Sequence, residues 1–239
     1  RVRREELPPC CPIYPSVRRS LLFRVLYYRR RISLEVYHAL TDGTGALNFL
    51  CALVYEYLLL RCPEELPQPV PVLPYDASPA QQQADSFQKY YEKPKGRSMG
   101  PSPAAYQIRR ERLPRNHLAI LEGRMPLDQV LACARARGVT LTELMTAIFL
   151  RAIHAGMRVR DRKKPVVITI PVNLRSYFPS ESARNFFATI NAGYDFSRGE
   201  DSLEAVLKEV RRSFRENLTA GRMRERMNAL CALEHSVPL

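Results

Sequence analysis

Apolar and polar residues alternate along two short runs near the start of the chain, SLLFRVLYY (20–28) and RISLEVYH (31–38), parted by Arg29 and Arg30. A period of two, rich in β-branched and aromatic residues, predicts two strands, and the short break predicts that they pair antiparallel. Gly43 and Gly45 end the alternation. ALNFLCALVYEYLLL (46–60) then reads as a buried helix spanning about 44–61 and stopping before Pro63. The opening RVRREELPPCCPIYP lacks a Met, so the chain reads as an internal piece of something longer.

Residues 63–105 are proline-rich and carry a QQQ run and KPKGRSMGPSP, which predicts a long connection or insertion. Regular pattern resumes at YQIRRERL (106–113) and HLAILEG (117–123). A helix is expected over about 126–137, ended by Gly138. Thr140 and Glu143 form a capping box for the next helix, LTELMTAIFLRAIHAG. VVITIPVNL (166–174) suits a buried strand, and NFFATINAGYDF (185–196) is a second one. Asp201 and Glu204 are expected to cap a last long helix, SLEAVLKEVRRSFRENL. Mixed strands and helices without a repeat period imply α/β layers. The organisation read from this is 1–62, a linker or insertion at 63–105, and 106–239.

Composition narrows the class. Of 239 residues, 46% are apolar and 26% charged, a globular balance. The most apolar run is shorter than the ~20 residues of a membrane span and carries Asn48 and Glu56, so no span is expected. The six cysteines (10, 11, 51, 62, 133, 231) form no CxxC pair and no metal spacing, and Cys51 and Cys133 fall on apolar helix faces. A reduced, cytoplasmic protein without a bound metal is expected. The net charge of +13 implies attraction to anions. Its basic runs are scattered and lack aromatic or zinc-finger accompaniment, so nucleic acid is not the expected partner.

Chemistry concentrates at YHALTDGTG (37–45). His38 leaves a predicted strand, Asp42 and Gly43 follow at plus four and plus five, and Gly43 and Gly45 together let the backbone fold tightly around an imidazole and leave room for a ligand. His38 is expected at the end of a central strand, facing a cleft. A histidine, with its ordinary pKa of ~6.5, suits general-base work near neutrality. His117, His154 and His235 lack a carboxylate or glycine at a telling spacing. No G-x-S-x-G elbow and no Walker pattern occur, which excludes two large classes of site.

YHALTDGTGALNFLCALVYEYL resembles the HHxxxDG region of the coenzyme A-dependent acyltransferase superfamily, which includes chloramphenicol acetyltransferase and the condensation domains of peptide synthetases. Tyr37 stands where the first histidine would be, while His38, Asp42 and Gly43 match the rest. VVITIPVNLRSYFPSESARNFFATINAGYDF resembles the downstream strand, arginine loop and strand of the same superfamily, with Arg175 and Asn185 in the matching positions. The wording is most similar to bacterial alcohol acetyltransferase-like proteins. The resemblance implies a chloramphenicol acetyltransferase-like α/β two-layer sandwich, of which this chain is a fragment holding the base but not a whole site. It implies His38 as general base and an Asp42–Arg175 ion pair supporting the site. Tyr37, Asn185 and Asn191 are weaker candidates for oxyanion or substrate contact. It also implies acyl transfer from coenzyme A (acetyl-CoA as co-substrate) to an alcohol or amine. The alternatives are a condensation-type domain taking acyl groups from a carrier protein, and a non-catalytic binding module of the same fold.

Overall fold

A strand ahead of the two alternating runs, β1 (Val2–Arg4), pairs parallel with β2 (Phe23–Tyr28), which pairs antiparallel with β3 (Arg31–Val36). In this computed structural model the residues described are 2–6, 10, 13, 21–66, 77–93, 104–109, 113–114 and 118–236. Three residues are too few to show an alternation, and β1 is fixed from outside by its pairing with β2 and by Arg31 gripping Glu5 at 2.7 Å. β2 is the central strand and β3 lies at the edge of the described sheet, so the motif does not leave a central strand. The β2–β3 turn places Arg29 at φ 52°, a conformation most side chains avoid.

The described chain divides into two compact units, each discontinuous in sequence. The first comprises Arg1–Tyr90, Arg112–Ala119 and Asn173–Phe187; the second comprises Tyr91–Glu111, Ile120–Val172 and Ala188–Leu239.

In the first unit, α1 (Gly43–Arg61) follows the motif. The expectation of a buried helix is corrected, because none of its residues is buried and Leu60 is 88% exposed. Its apolar residues run all round the helix, and the described sheet covers one side only, where Phe49 meets Phe23 edge to face at 5.5 Å. At 19 residues it is long and apolar enough, by length and composition alone, to cross a membrane, so it is not too short as expected. Its first turn is fastened into this unit through Asp42. The proline-rich stretch contains two short helices, α2 (Pro79–Gln83), with a Ser78 capping box, and α3 (Ser86–Tyr90).

The second unit holds a densely packed core. α4 (Leu127–Ala136) ends at Gly138, whose φ of +62° suits the left-handed position after a helix. α5 (Leu141–Ala155) carries the expected Thr140–Glu143 capping box. β4 (Val166–Asn173) and β5 (Phe187–Tyr194) form a two-stranded sheet. They run antiparallel, with Thr169 hydrogen-bonded to Asn191 and Val167 against Gly193. β4 is not the buried strand expected: with one strand partner, only Val166 is buried. β5 alternates cleanly, burying Ala188, Ile190 and Ala192.

α6 (Leu203–Asn217) buries Val206, Val210 and Phe214 at four-residue spacing, and α5 packs on it through a stripe that includes Leu144, Ala147 and Leu150. Its cap is Ser202, not Asp201 as expected, because Asp201 is drawn to Arg151. α6 is not the last helix either. α7 (Ala220–Ser236) follows and buries Met223, Met227 and Cys231, so position 235 is helical. Residues 106–109 and 118–123 form no regular element, and His117 lies outside the described residues. Cys51 and Cys133 are exposed, contrary to expectation. α1 has no buried face, and on α4 the core residue is the neighbouring Ala134.

Candidate functional site

The site begins where β3 ends. Tyr37 N donates to Leu22 O at 2.8 Å, which holds the chain on the sheet for one more residue. Leu40 N donates to Tyr37 O at 2.9 Å, closing a turn that lifts His38 to the surface. Asp42 then caps α1, its Oδ1 accepting from Gly45 N at 3.0 Å. This much is local chemistry: a strand end, a turn and an aspartate N-cap.

The rest comes from 130–145 residues further along the chain, all within the first unit. Arg175 Nη1 donates to Asp42 Oδ2 at 2.6 Å, and Phe186 N donates to the same oxygen at 2.8 Å. Arg175 spends its other terminal nitrogen on the carbonyls of Ser182 (2.8 Å) and Arg184 (2.7 Å). The guanidinium therefore folds the 174–186 segment around itself while gripping Asp42. Both side chains are nearly out of solvent, at 7% and 13% exposure. Burial pushes the Asp42 carboxyl up. The hydrogen bonds from Gly45, Arg175 and Phe186, with the guanidinium charge, outweigh it and hold the pKa below the ordinary aspartate value.

Two further bonds tie the turn to this segment. Thr41 Oγ1 donates to Ala183 O at 2.6 Å, and Asn185 Nδ2 donates to the carbonyl of His38 at 2.9 Å. The His38 ring stands 5.6 Å from the ring of Phe187, and the residue is exposed. Among the described residues no carboxylate lies within ion-pair distance of it. Asp42 is consumed by the structure, so it does not orient His38 in the manner of a triad aspartate.

Of the two motif glycines, Gly45 is the one sterically required. A Cβ there would collide with Thr41 Oγ1 and lie 2.8 Å from Ala183 O. At Gly43 a Cβ would meet nothing within 4 Å.

The other expected residues separate. Tyr37 is exposed beside His38. Asn185 touches the His38 main chain, which makes it a positioning contact for the turn. Asn191 belongs to the second unit and accepts from Thr169 Oγ1 at 2.9 Å.

What sequence reasoning missed is the brace. Phe186, fully buried, meets Phe87 edge to face at 5.3 Å and stacks near Tyr90. Tyr90 Oη donates to Pro179 O, and Ser182 Oγ donates to Ala84 O, both at 2.6 Å. Thus α2 and α3, in a stretch expected to be a connection, hold the arginine segment in place. The aromatic pair in NFF was the available signal for Phe186. Nothing local marks α3 as its partner.

No family model matches the chain, and no curated protein matches it. Among solved structures it is similar to the first condensation domain of the calcium-dependent antibiotic synthetase, in complex with a substrate analogue, at 16% identity and a TM-score of 0.45. The match covers 91% of this chain and 48% of that one, so the chain spans about half the length of that domain.

Proposed function

We propose that the chain carries the base-bearing part of an acyltransferase. His38 takes the proton of an alcohol or amine as its oxygen or nitrogen attacks the carbonyl of an acyl thioester. The tetrahedral adduct then collapses, the C–S bond breaks, and the thiolate leaves with the proton returned by the imidazolium. The acyl group comes from coenzyme A, or from phosphopantetheine on a carrier protein. No covalent acyl-enzyme forms.

The observation that carries this reading is the division of labour in the turn. Asp42 is buried and fully engaged with Gly45, Arg175 and Phe186, while His38, four residues earlier, is exposed and pinned only through its main-chain carbonyl. An exposed imidazole, held at its main-chain carbonyl and with its ring beside Phe187, is disposed to move a proton. A histidine serving the fold would itself be buried and bonded.

Thiol release by the full-length protein on mixing acyl-CoA or carrier-bound acyl thioesters with alcohols and amines tests the reading. His38→Ala should lower transfer by ~10²–10⁴-fold while the unfolding midpoint stays put. Undiminished transfer in a folded His38→Ala protein would show that His38 is not the base and would overturn this reading.

A further inference from the structure

Two segments that the proposed chemistry does not use meet in the second unit. Residues 104–109 are joined to the strand entry by Tyr106 N donating to Pro165 O at 2.9 Å. Between α5 and β4 the chain makes a tight 3₁₀ turn, Val159–Asp161, in which Asp161 N donates to Arg158 O at 2.9 Å and Lys164 N to Asp161 O at 3.0 Å. A recess forms between these segments, lined by Arg109, Arg158, Arg160 and Lys164, with Asp161 and Tyr106.

Four cations face one carboxylate there. Asp161 is shared between Lys164, at 3.6 Å, and Arg160, at 3.9 Å. Among the described residues Arg109 and Arg158 have no carboxylate partner. Like charges gathered at a concave surface repel one another, and an anion seated among them relieves that cost. Guanidinium groups match the oxygens of a phosphate with paired hydrogen bonds, which a single ammonium cannot do.

We propose that this recess binds the phosphate or diphosphate group of a small molecule, Arg109 and Arg158 gripping its oxygens and Lys164 supplying further charge. The cations are gathered in one recess and not strung along a stripe, which favours a compact anion over a nucleic-acid strand. The site is independent of the acyl-transfer reading, since none of its residues belongs to the unit that carries His38.

Calorimetric titration of the 239-residue protein with inorganic diphosphate, a nucleoside diphosphate and a single-stranded oligonucleotide tests this. Both small ligands should bind. Equal affinity identifies a free anion as sufficient, and tighter nucleotide binding identifies the phosphate end of a larger molecule. Arg109→Gln/Arg158→Gln should weaken binding by about tenfold or more. The charge-matched control Arg198→Gln/Arg215→Gln, outside the recess, should leave it unchanged. Asp161→Asn, which removes the competing carboxylate, should strengthen binding by roughly two- to fivefold. An oligonucleotide that outbinds both small ligands, diphosphate affinity unchanged in the Arg109/Arg158 variant, or an Asp161→Asn protein that binds no tighter would each overturn the proposal.

Discussion

Three donors converge on the Asp42 carboxylate: Gly45 N, Arg175 Nη1 and Phe186 N. Asp42→Ala takes this acceptor from Gly45 N and Phe186 N and leaves a buried guanidinium without its charge partner, at a cost of ~3–5 kcal/mol. Asp42→Asn keeps the helix cap but turns an NH2 group toward two donors, so it should destabilise less than Ala and still measurably in urea titrations. The pH dependence follows from the depressed pKa. The carboxylate's contribution is complete above the ordinary aspartate value of 3.8 and is lost as pH falls through the lower folded value. The stability gap between the wild type and Asp42→Asn should therefore shrink below about pH 4. A gap that stays constant down to pH 2 would mean that Asp42 is not the linked group. The glycines make a sharper test at the same scale. Gly45→Ala should cost ~1–3 kcal/mol, because backbone at Ala183 blocks the new methyl group. Gly43→Ala should be neutral or stabilising by up to ~1 kcal/mol, since the position is open and the unfolded chain loses freedom. Thermal unfolding of the two variants would separate them.

At the scale of elements, what could be read in the sequence is what local chemistry decides. β2, β3, α4 and α5 followed from alternation, the Gly138 stop and the Thr140–Glu143 box. Two of the elements that were missed depend on partners far along the chain. β1 exists through its pairing with β2, and α3 is anchored by Tyr90 against Phe178 and Phe186. The α6 cap shows the same limit: Asp201 and Ser202 both suit an N-cap, and the Arg151 ion pair leaves the role to Ser202. Ser202→Ala should accordingly cost ~1 kcal/mol, in line with the loss of a helix cap. Asp201→Ala removes an exposed ion pair with Arg151 and a 3.5 Å contact with His154, together worth ~0–1 kcal/mol. Equal losses measured by denaturant titration would put Asp201 back in the cap.

For the whole molecule, total charge is plain in the composition, but its placement depends on the fold, as Arg109 and Arg158 illustrate by meeting across 49 positions of sequence. The distribution of buried side chains is likewise a property of the fold. Ala147, Leu150, Ile190, Val206, Val210, Met223 and Met227 are all fully buried, and all belong to the second unit. In the first unit, burial gathers around Phe186 and Leu174, while α1, the longest apolar helix, buries nothing. Local opening is governed by such contacts, so the units should differ in native-state hydrogen exchange. Amides in the middle of α5, α6 and β5 should exchange only through global unfolding. Those of α1 beyond its first turn should exchange at least ~10²-fold faster, because none of its residues is fully buried. The Phe186 amide, bonded to Asp42 in the first unit, should be slow in the wild type and markedly faster in Asp42→Asn, with α5 unaffected unless that variant unfolds globally. Protection along α1 as strong as that along α6 would show that the helix is covered in solution, and would overturn its reading as an exposed element.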